Sequence, residues 1–319
     1  MQRKEVSTDM LGGALPTRSG MVAGRRRRAR SIKATEERDF FLMLIPELLG
    51  LLLLFLGPLV AVVGISVLKW DGLTAARFVG DGNYTALAKD DLFWQSLYNT
   101  VYYTILSVGA GTVVAFAVAL LWNQPVRGMM IYRTLYYMPV IVPVVAGSLV
   151  WGMLLNPSFG LVNVFLNLVG LPSLQWLQDP TWAKPAIVLL SLWTVGNAAI
   201  IYLAGLKGIP AVLYEAARVD GAGSMRQLFQ ITIPMMVPTL MFNIIMGMVG
   251  SFQVFAPAYV LTGGGPVNST LFYILYLYQN AFQNFHMGYA SAQAVILLVI
   301  TFALSLVIVR FFQDRMNYD

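Results

Sequence analysis

The chain has no cysteine, and it carries few charged side chains for its length. Without cysteine, neither a disulfide nor a thiolate metal site can form. Only 11% of the 319 residues are charged, whereas a soluble domain has about 25%. Hydrophobic residues make up 58% of the chain. This balance predicts an integral membrane protein.

Residues that would indicate catalysis or metal binding are also scarce. The one histidine, His286, has no neighbouring metal ligands, so we interpret it as an ordinary loop residue. The apolar segments contain neither a His/Glu/Asp cluster nor a nucleophile–base pair, which argues against an intramembrane enzyme. No phosphate loop of the G-x-x-x-x-G-K-S/T type is present, and "TGGGP" (Thr262–Pro266) lacks its lysine. We therefore expect any ATP that drives this protein to be hydrolysed by another polypeptide.

Six apolar segments are long enough to cross a membrane as helices, which takes roughly 20 residues each. We predict an all-α membrane protein whose six spans are Phe41–Leu68, Tyr98–Trp122, Leu135–Leu155, Ala186–Leu206, Met235–Leu261 and Tyr289–Phe311. Prolines inside three of these segments predict kinks, which bundled membrane helices tolerate.

Lysine and arginine are distributed unequally between the two sides of these spans. Seventeen of the 21 lie at the chain ends and in residues 123–134 and 207–234. The other four lie in residues 69–97 and 156–185. Because cytoplasmic segments carry the excess of basic residues, we predict that both termini and residues 207–234 face the cytoplasm.

Residues 1–38 are predicted to form a basic cytosolic tail. Its run "GRRRRAR" (Gly24–Arg30) has the composition of a nucleic-acid patch. Directly before a membrane span, however, such a run is typical of a topology anchor beside anionic lipid headgroups. We therefore predict contact with the lipid membrane and no nucleic-acid partner.

The longest polar interruption in the second half of the chain is "YEAARVDGAGSMRQLFQITIP", Tyr214–Pro234. Apolar residues at helical spacing predict a short helix after Pro210 and a second one that Ser224 would cap. Gly221 and Gly223 lie between these two helices and would interrupt the helical conformation there. On these patterns alone, the apolar faces could rest on the protein's own bundle, on lipid or on a partner.

The spacing in this segment resembles the EAA loop of bacterial ABC-importer permeases, whose pattern is E-A-A, three residues, G, nine residues, I, one residue, L-P. The matching residues are Glu215, Ala216, Ala217, Gly221, Ile231 and Pro234, with Ile233 in place of leucine. Three more stretches resemble the carbohydrate-uptake, maltose-permease-like branch: "FWQSLYNTVYYT" (Phe93–Thr104), "FQVFAPAYVLTGGGP" (Phe252–Pro266) and "GYASAQA" (Gly288–Ala294). The family often has an acidic residue near Ala256, which this chain lacks.

This resemblance implies a type I ABC importer permease fold. The permease domain would cover residues 94–314, after a first transmembrane helix and outer loop at 39–93, and would include a cytosolic coupling loop at 208–234. In that family the loop seats in a groove of a cytosolic ATP-binding subunit, and Gly221 would let the two helices meet at an angle that a side chain would obstruct. The residues implied at this contact are Glu215, Ala216, Ala217, Asp220, Gly221, Met225, Leu228, Phe229 and Pro234.

The resemblance also implies the other components of the importer. The chain itself would hold no cofactor, because ATP and Mg would be bound by a dimer of ATP-binding subunits. A second, homologous permease subunit would complete the pathway, and an extracytoplasmic solute-binding protein would deliver the solute. The assembly would lie in the cell membrane of a bacterium or archaeon.

A stripe of small and amide side chains in the fifth span is the candidate solute path. The candidates there and on neighbouring segments are Asn243, Gly247, Gly250, Ser251, Gln253, Trp193, Asn197, Phe252 and Tyr259. Amides hydrogen-bond sugar hydroxyls, and aromatic rings stack on the C–H faces of sugars. Small residues equally allow close helix packing, and both interpretations stay open.

The scarcity of charge within the spans favours an uncharged solute such as a sugar or oligosaccharide. The one carboxylate within them, Glu47, falls near the cytosolic end of the first span. Glycerol 3-phosphate or a charged oligosaccharide stays an alternative if a partner permease supplies basic groups. A secondary transporter would usually show paired repeats and buried charges, and the sequence shows neither.

Overall fold

The computed structural model describes residues 39–313, so the predicted tail with its "GRRRRAR" run lies outside the described residues. The chain divides into two compact units, Met1–Ala61 and Val62–Asp319. In the first unit the described part is helix α1, Asp39–Ser66, whose last residues extend past the division. A π-helical turn, Leu51–Leu56, lies within it, and the helix includes Glu47.

The second unit begins with a two-stranded antiparallel hairpin. Its strands are β1, Leu68–Lys69, and β2, Arg77–Phe78, with Lys69 directly opposite Arg77. Helices α2, Gly82–Ala88, and α3, Asp91–Trp122, follow. The Asp90 carboxylate accepts a hydrogen bond of 2.9 Å from the Leu92 N–H. This N-cap fixes the start of the long helix.

Helices form most of the remaining described chain. In order they are α4, Met129–Ile141; α5, Val144–Leu154; α6, Leu161–Leu168; α7, Pro180–Trp193; α8, Gly196–Lys207; α9, Ala211–Val219; α10, Ser224–Met235; α11, Val237–Phe252; α12, Ala256–Leu261; α13, Tyr273–Tyr278; and α14, Met287–Gln313. Helix α10 contains a π-helical turn, Leu228–Thr232, and α13 continues into another, Gln279–Gln283.

Length and hydropathy allow up to six membrane crossings among residues 39–313. Helices α1, α3 and α14 are each long and apolar enough alone. The pairs α4–α5, α7–α8 and α10–α11 qualify as broken spans, with bends of 99°, 49° and 65°. Six crossings agree with the number predicted from the sequence.

Several predicted span boundaries were wrong: α3 begins at Asp91 instead of Tyr98, and α4 begins at Met129 instead of Leu135. The fourth span begins at Pro180 instead of Ala186, because Asp179 caps α7 by accepting a hydrogen bond from Thr181 N–H at 2.7 Å. Lys184 therefore lies within a helix and not in a loop. The fifth span ends at Phe252, and α12 is a separate short helix.

The fifth span was predicted to begin at Met235, directly after Pro234, and this boundary was also wrong. Helix α10 runs through this proline and ends at Met235, and the bend follows it. Pro234 stands at the start of the α-helical turn Ile233–Met235, directly after the π-helical turn. A proline within a membrane helix is tolerated where a local π-helical adjustment satisfies the backbone groups that it leaves unpaired.

Two apolar clusters form the core of the second unit. The larger packs α3 against α11, α13 and α14 and includes the fully buried rings of Phe272 and Tyr273. The smaller packs α3 against α8 and α10 and includes Tyr202 and Met236. By the predicted topology, the larger cluster lies at the outer end of the bundle and the smaller at the cytosolic end.

Buried polar side chains tie the outer end together. The Asn99 amide donates to the carbonyls of Asn268 and Leu271 at 2.9 and 3.1 Å, and its oxygen accepts from Lys184 Nζ at 3.0 Å. The Thr100 hydroxyl accepts from Tyr273 N–H at 2.8 Å. Two of the stretches that resemble carbohydrate permeases also share the larger apolar cluster, which contains Phe93 and Tyr103 of residues 93–104 and Phe252 and Val254 of residues 252–266.

Candidate functional site

The segment between α8 and α11 folds as two short helices with a glycine turn between them, as predicted. We call residues 211–235 the hinge segment. Gly221 N–H donates to Arg218 O at 3.1 Å, and Ala222 N–H donates to Ala217 O at 2.8 Å. This pair of bonds is the Schellman motif, which ends a helix with a residue in the left-handed conformation. Gly221 takes that position with φ of 75°.

The structure changes the reason for glycine at position 221. A Cβ atom there would have no heavy atom within 4 Å, so a side chain would not obstruct the two helices. The requirement is instead conformational, because a left-handed φ is costly for residues with a Cβ. Gly223 has equally open surroundings but an ordinary φ of −69°. It precedes α10, and no side chain caps this helix, so the predicted Ser224 cap is absent.

One side of the hinge segment exposes apolar side chains to solvent. The exposed fractions of Val219, Met225 and Phe229 are 88%, 72% and 65%. Glu215, Ala216 and Asp220 are also exposed, whereas Ala217, Leu228 and Pro234 are half-buried. The residues predicted to contact an ATP-binding subunit therefore lie mainly on an accessible surface.

The other side of the hinge segment is anchored to the bundle. The hydroxyls of Tyr214 and Thr232 are 2.9 Å apart and share a hydrogen bond. Gln227 donates to Ala222 O at 2.8 Å, which holds the start of α10 against the turn. Tyr214 and Ile231 pack on the smaller apolar cluster. One side of the hinge segment is thus anchored to the bundle, and the opposite side is exposed.

A cavity of about 520 Å³ lies among α3, α7, α8 and α11. Five predicted path residues line it: Asn243, Gly247, Gly250, Ser251 and Gln253. Every residue that lines it is uncharged. The Asn243 amide donates to Thr239 O at 3.0 Å.

Sequence reasoning missed the wall that α3 contributes. Tyr103, Ser107 and Gly111 line the cavity together with Ser191 of α7. The first three recur every four residues and therefore share one helical face. The same search for polar and small residues at helical spacing would have found them in the second span.

Four other predicted path residues do not line this cavity. Trp193 packs edge-on against Trp151, with ring centroids 6.2 Å apart. Asn197 Oδ1 accepts a hydrogen bond of 3.1 Å from the Tyr137 hydroxyl. Tyr259 stacks on Phe255 at 5.3 Å, and Phe252 is buried in the larger cluster. These side chains contact neighbouring helices of the same chain.

Metal binding has no support in the part of the chain that the structure describes. No group of three or more histidine or acidic side chains within residues 39–313 could hold a metal ion. His286 lines an outer groove with Lys69 and Arg77 and lies apart from the cavity.

Comparison with solved structures identifies the fold. A chain from a structure described as a bacterial alginate ABC transporter in complex with alginate pentasaccharide-bound periplasmic protein aligns with a TM-score of 0.78 and 24% identity. The alignment covers 88% of this chain and 96% of that chain. The predicted all-α, type I permease fold is therefore confirmed.

Sequence comparisons agree with the fold. The family described as "Binding-protein-dependent transport system inner membrane component" matches residues 108–318. Probable ABC transporter permease protein YesP of Bacillus subtilis is 35% identical, over 94% of this chain and 98% of that protein. Sulfoquinovosyl glycerol transport system permease protein SmoG of Agrobacterium fabrum is 34% identical, over 86% of this chain and 90% of that protein. The chain therefore belongs to the binding-protein-dependent family of ABC transporter permeases.

Proposed function

We propose that this chain is one of two permease subunits in an ATP-driven importer of a sugar or oligosaccharide. In this proposal the hinge segment docks on a separate ATP-binding subunit and transmits its movement to the bundle. The observation that carries the proposal is the exposed apolar side of the hinge segment, opposite a side that is anchored to the core. Exposed apolar patches of this kind mark interaction sites.

The chemistry of the hinge segment suits docking in a groove. Val212, Val219, Met225 and Phe229 offer apolar anchors on two short helices, and helices dock into grooves through side chains at such spacings. The exposed Glu215 carboxylate could pair with a basic side chain of the partner. A hydrogen bond to a charged group contributes about 1.5–3 kcal/mol.

A sugar is the solute that best fits the uncharged lining of the cavity. Uncharged hydroxyl, amide and aromatic groups line the cavity, and these groups suit polyhydroxy solutes. The relative from Agrobacterium is named for transport of sulfoquinovosyl glycerol. The solute of this importer would accordingly be a sugar derivative delivered by a solute-binding protein.

The remaining components follow from this role. Two ATP-binding subunits would bind ATP and Mg, and this chain would not be catalytic. A second permease subunit would complete the pathway across the cell membrane of a bacterium or archaeon. The distribution of basic residues supports a cytoplasmic location for both termini.

The test compares transport by the assembled importer in membrane vesicles. We expect Glu215→Ala and Gly221→Leu to reduce uptake at least about tenfold, which corresponds to about 1.4 kcal/mol of lost coupling. The amount of inserted protein should not change, since both positions lie on the accessible surface.

Gly223→Ala is the matched control for the turn. Both glycines have open space at the Cβ position, but only Gly221 has a positive φ. Uptake by Gly223→Ala should therefore stay within about twofold of the wild type, since its φ is accessible to alanine. Wild-type uptake by both Glu215→Ala and Gly221→Leu would contradict the coupling role.

A further inference from the structure

One lysine lies inside the broken span that α7 and α8 form. Lys184 is the fifth residue of α7, so the helical rise places it about 6 Å along the axis from the first residue, Pro180. It does not line the cavity proposed for the solute. An ionisable side chain within a membrane segment is costly and marks a functional contact, whose partner has to be identified.

The contacts of Lys184 within the chain do not neutralise its charge. Its Nζ atom donates a hydrogen bond to Asn99 Oδ1 at 3.0 Å. An ammonium group has three N–H donors, and this bond uses one of them. Within residues 39–313, no carboxylate forms an ion pair with Lys184. Because Asn99 is neutral, the ammonium has no counter-ion in the described part of the chain.

Two tyrosine rings of α3 hold this ammonium in place. Lys184 Nζ lies 5.2 Å from the centroid of the Tyr98 ring and 5.0 Å from that of the Tyr102 ring. Cation–π contacts at this range attract the ammonium but leave its charge in place. Lys184 is half-buried, and the side chain of Tyr98 is 63% exposed. The cation therefore lies at the lateral surface of the bundle, where a molecule outside the chain can contact it.

The surface around Lys184 changes from aromatic to aliphatic along the span. Trp94, Tyr98 and Ile105 share one face of α3, and all three are exposed. Trp182, two residues before Lys184, is exposed on α7. Tryptophan and tyrosine concentrate where the membrane meets water. The tryptophans thus mark the level of the lipid headgroups, and Ile105 lies about 10 Å further along the helix axis from Tyr98.

We propose that Lys184, Tyr98 and Tyr102 form a binding site for the phosphate group of an anionic phospholipid. The phosphate oxygens would accept hydrogen bonds from the remaining N–H donors of Lys184, and such bonds between charged groups are strong. The acyl chains would lie on the exposed apolar face of α3 toward Ile105. A cation beside an apolar stripe matches the amphipathic shape of a phospholipid. Both membrane surfaces carry phosphates, so the site requires no particular orientation of the chain.

The experiment measures lipid binding by the full-length chain, purified in detergent with the subunits that accompany it. Native mass spectrometry counts the bound lipids during titration with phosphatidylglycerol, which is anionic, or phosphatidylcholine, which has a phosphate but no net charge. We expect one site of the wild type to prefer phosphatidylglycerol by about tenfold. Lys184→Gln keeps a hydrogen-bond donor for Asn99 but removes the charge, so this preference should disappear.

Three further variants separate charge, position and ring contact. Lys184→Arg keeps the charge and should retain the preference. Lys207→Gln is the matched control, because Lys207 is an exposed cation at the other end of the same broken span. Among the described residues it lies over no aromatic ring, and its loss should change affinity less than about twofold. Tyr98→Leu removes an exposed ring and should weaken binding about threefold.

Transport is not measured in this experiment, so its result does not depend on the proposed function. Equal affinities for phosphatidylglycerol in the wild type and in Lys184→Gln would overturn the lipid assignment. Equal binding of the two lipids by the wild type would also overturn it. A third contrary result is unchanged lipid binding together with release of a second permease subunit from Lys184→Gln, because a carboxylate of that subunit would then be the counter-ion. If Lys184→Gln cannot be purified, an unchanged preference in Tyr98→Leu overturns the assignment.

Discussion

The outer end of the bundle and the hinge segment satisfy their side chains in opposite ways. At the outer end, Phe272 and Tyr273 are fully buried, and Asn99 bonds three groups of the same chain. In the hinge segment, Val219 and Phe229 stay largely exposed. The core of the outer end is filled by side chains of this chain, whereas the hinge segment keeps apolar surface that a partner can cover.

This difference assigns different work to the two regions. Buried, fully bonded polar groups fix one arrangement of the surrounding helices, because breaking any bond leaves a desolvated group unpaired. Exposed apolar side chains contribute little to the stability of the isolated chain. Substitutions in the two regions should therefore affect different measurements.

The largest effect on stability is expected at Asn99. Asn99→Leu would leave the carbonyls of Asn268 and Leu271 and the ammonium of Lys184 without their partner. At about 1 kcal/mol for each lost bond, the free energy of unfolding should fall by about 3 kcal/mol. Denaturation of the purified chain in detergent, followed by tryptophan fluorescence, measures this loss.

Gln95→Ala is the control for the same turn. Gln95 Nε2 reaches Val267 O and Asn268 O only at 3.4 and 3.3 Å, and its side chain is not buried. Gln95→Ala should lower the free energy of unfolding by less than about 0.5 kcal/mol, as most surface substitutions do. Equal losses from the two variants would contradict the importance of the buried bonds.

A smaller effect is expected at Asp90, and it depends on pH. Partial burial acts to raise the pKa of Asp90, but hydrogen bonds from the Tyr276 and Tyr289 hydroxyls and from Leu92 N–H outweigh it and keep the pKa below its usual value. The folded state therefore favours the carboxylate. Its contribution is fully present above the unfolded pKa of about 3.9 and is lost as pH falls through the lower, folded pKa.

Asp90→Asn should lower stability by about 1 kcal/mol at pH 7, allowing for solvent screening. Below about pH 4 its difference from the wild type should begin to shrink, because the carboxylate is then protonated in the unfolded wild-type chain, and the difference should be lost as pH falls through the lower, folded pKa. Unfolding curves at pH 7, 5 and 3 measure the loss of stability at pH 7 and its decrease at low pH. Asp91→Asn, one residue further on, is the control, and a difference for Asp90→Asn that persists unchanged at pH 3 would contradict the electrostatic explanation.

The smallest effect on stability is expected at Phe229. Phe229→Ser should change the free energy of unfolding of the isolated chain by less than about 0.5 kcal/mol, because the ring is 65% exposed. Coupling should change much more. Co-purification of the ATP-binding subunit and uptake in vesicles should both fall. Phe282→Ser is the control, because Phe282 is 58% exposed but lies outside the hinge segment.

The features that sequence predicted correctly depend on local pattern. Hydropathy gave six crossings because each span needs its own apolar run. The helix–glycine–helix arrangement of the hinge segment followed from residue spacing, and the left-handed Gly221 agrees with it. The five residues from Asn243 to Gln253 line one cavity because they lie almost wholly on one unbroken helix, and their role in a solute path stays a prediction.

The features that sequence missed depend on breaks within helices. Trp193 and Asn197 are four residues apart, a spacing that would place them on one face of a continuous helix. The helix breaks between them, with a bend of 49°, so their faces diverge. Tyr259 likewise follows the break after Phe252. Such breaks depend on packing against other helices, which spacing along the chain does not report.

The hydrogen bond between Tyr214 and Thr232 has a mechanical consequence. It joins the two ends of the hinge segment, and Tyr214 and Ile231 pack against the smaller apolar cluster, to which α3 and α8 contribute. A force applied at Gly221 cannot straighten the loop without first breaking this cross-link. In the proposed importer, this cross-link would favour movement of the two ends of the segment together, so that the adjoining ends of α8 and α11 shift at the same time.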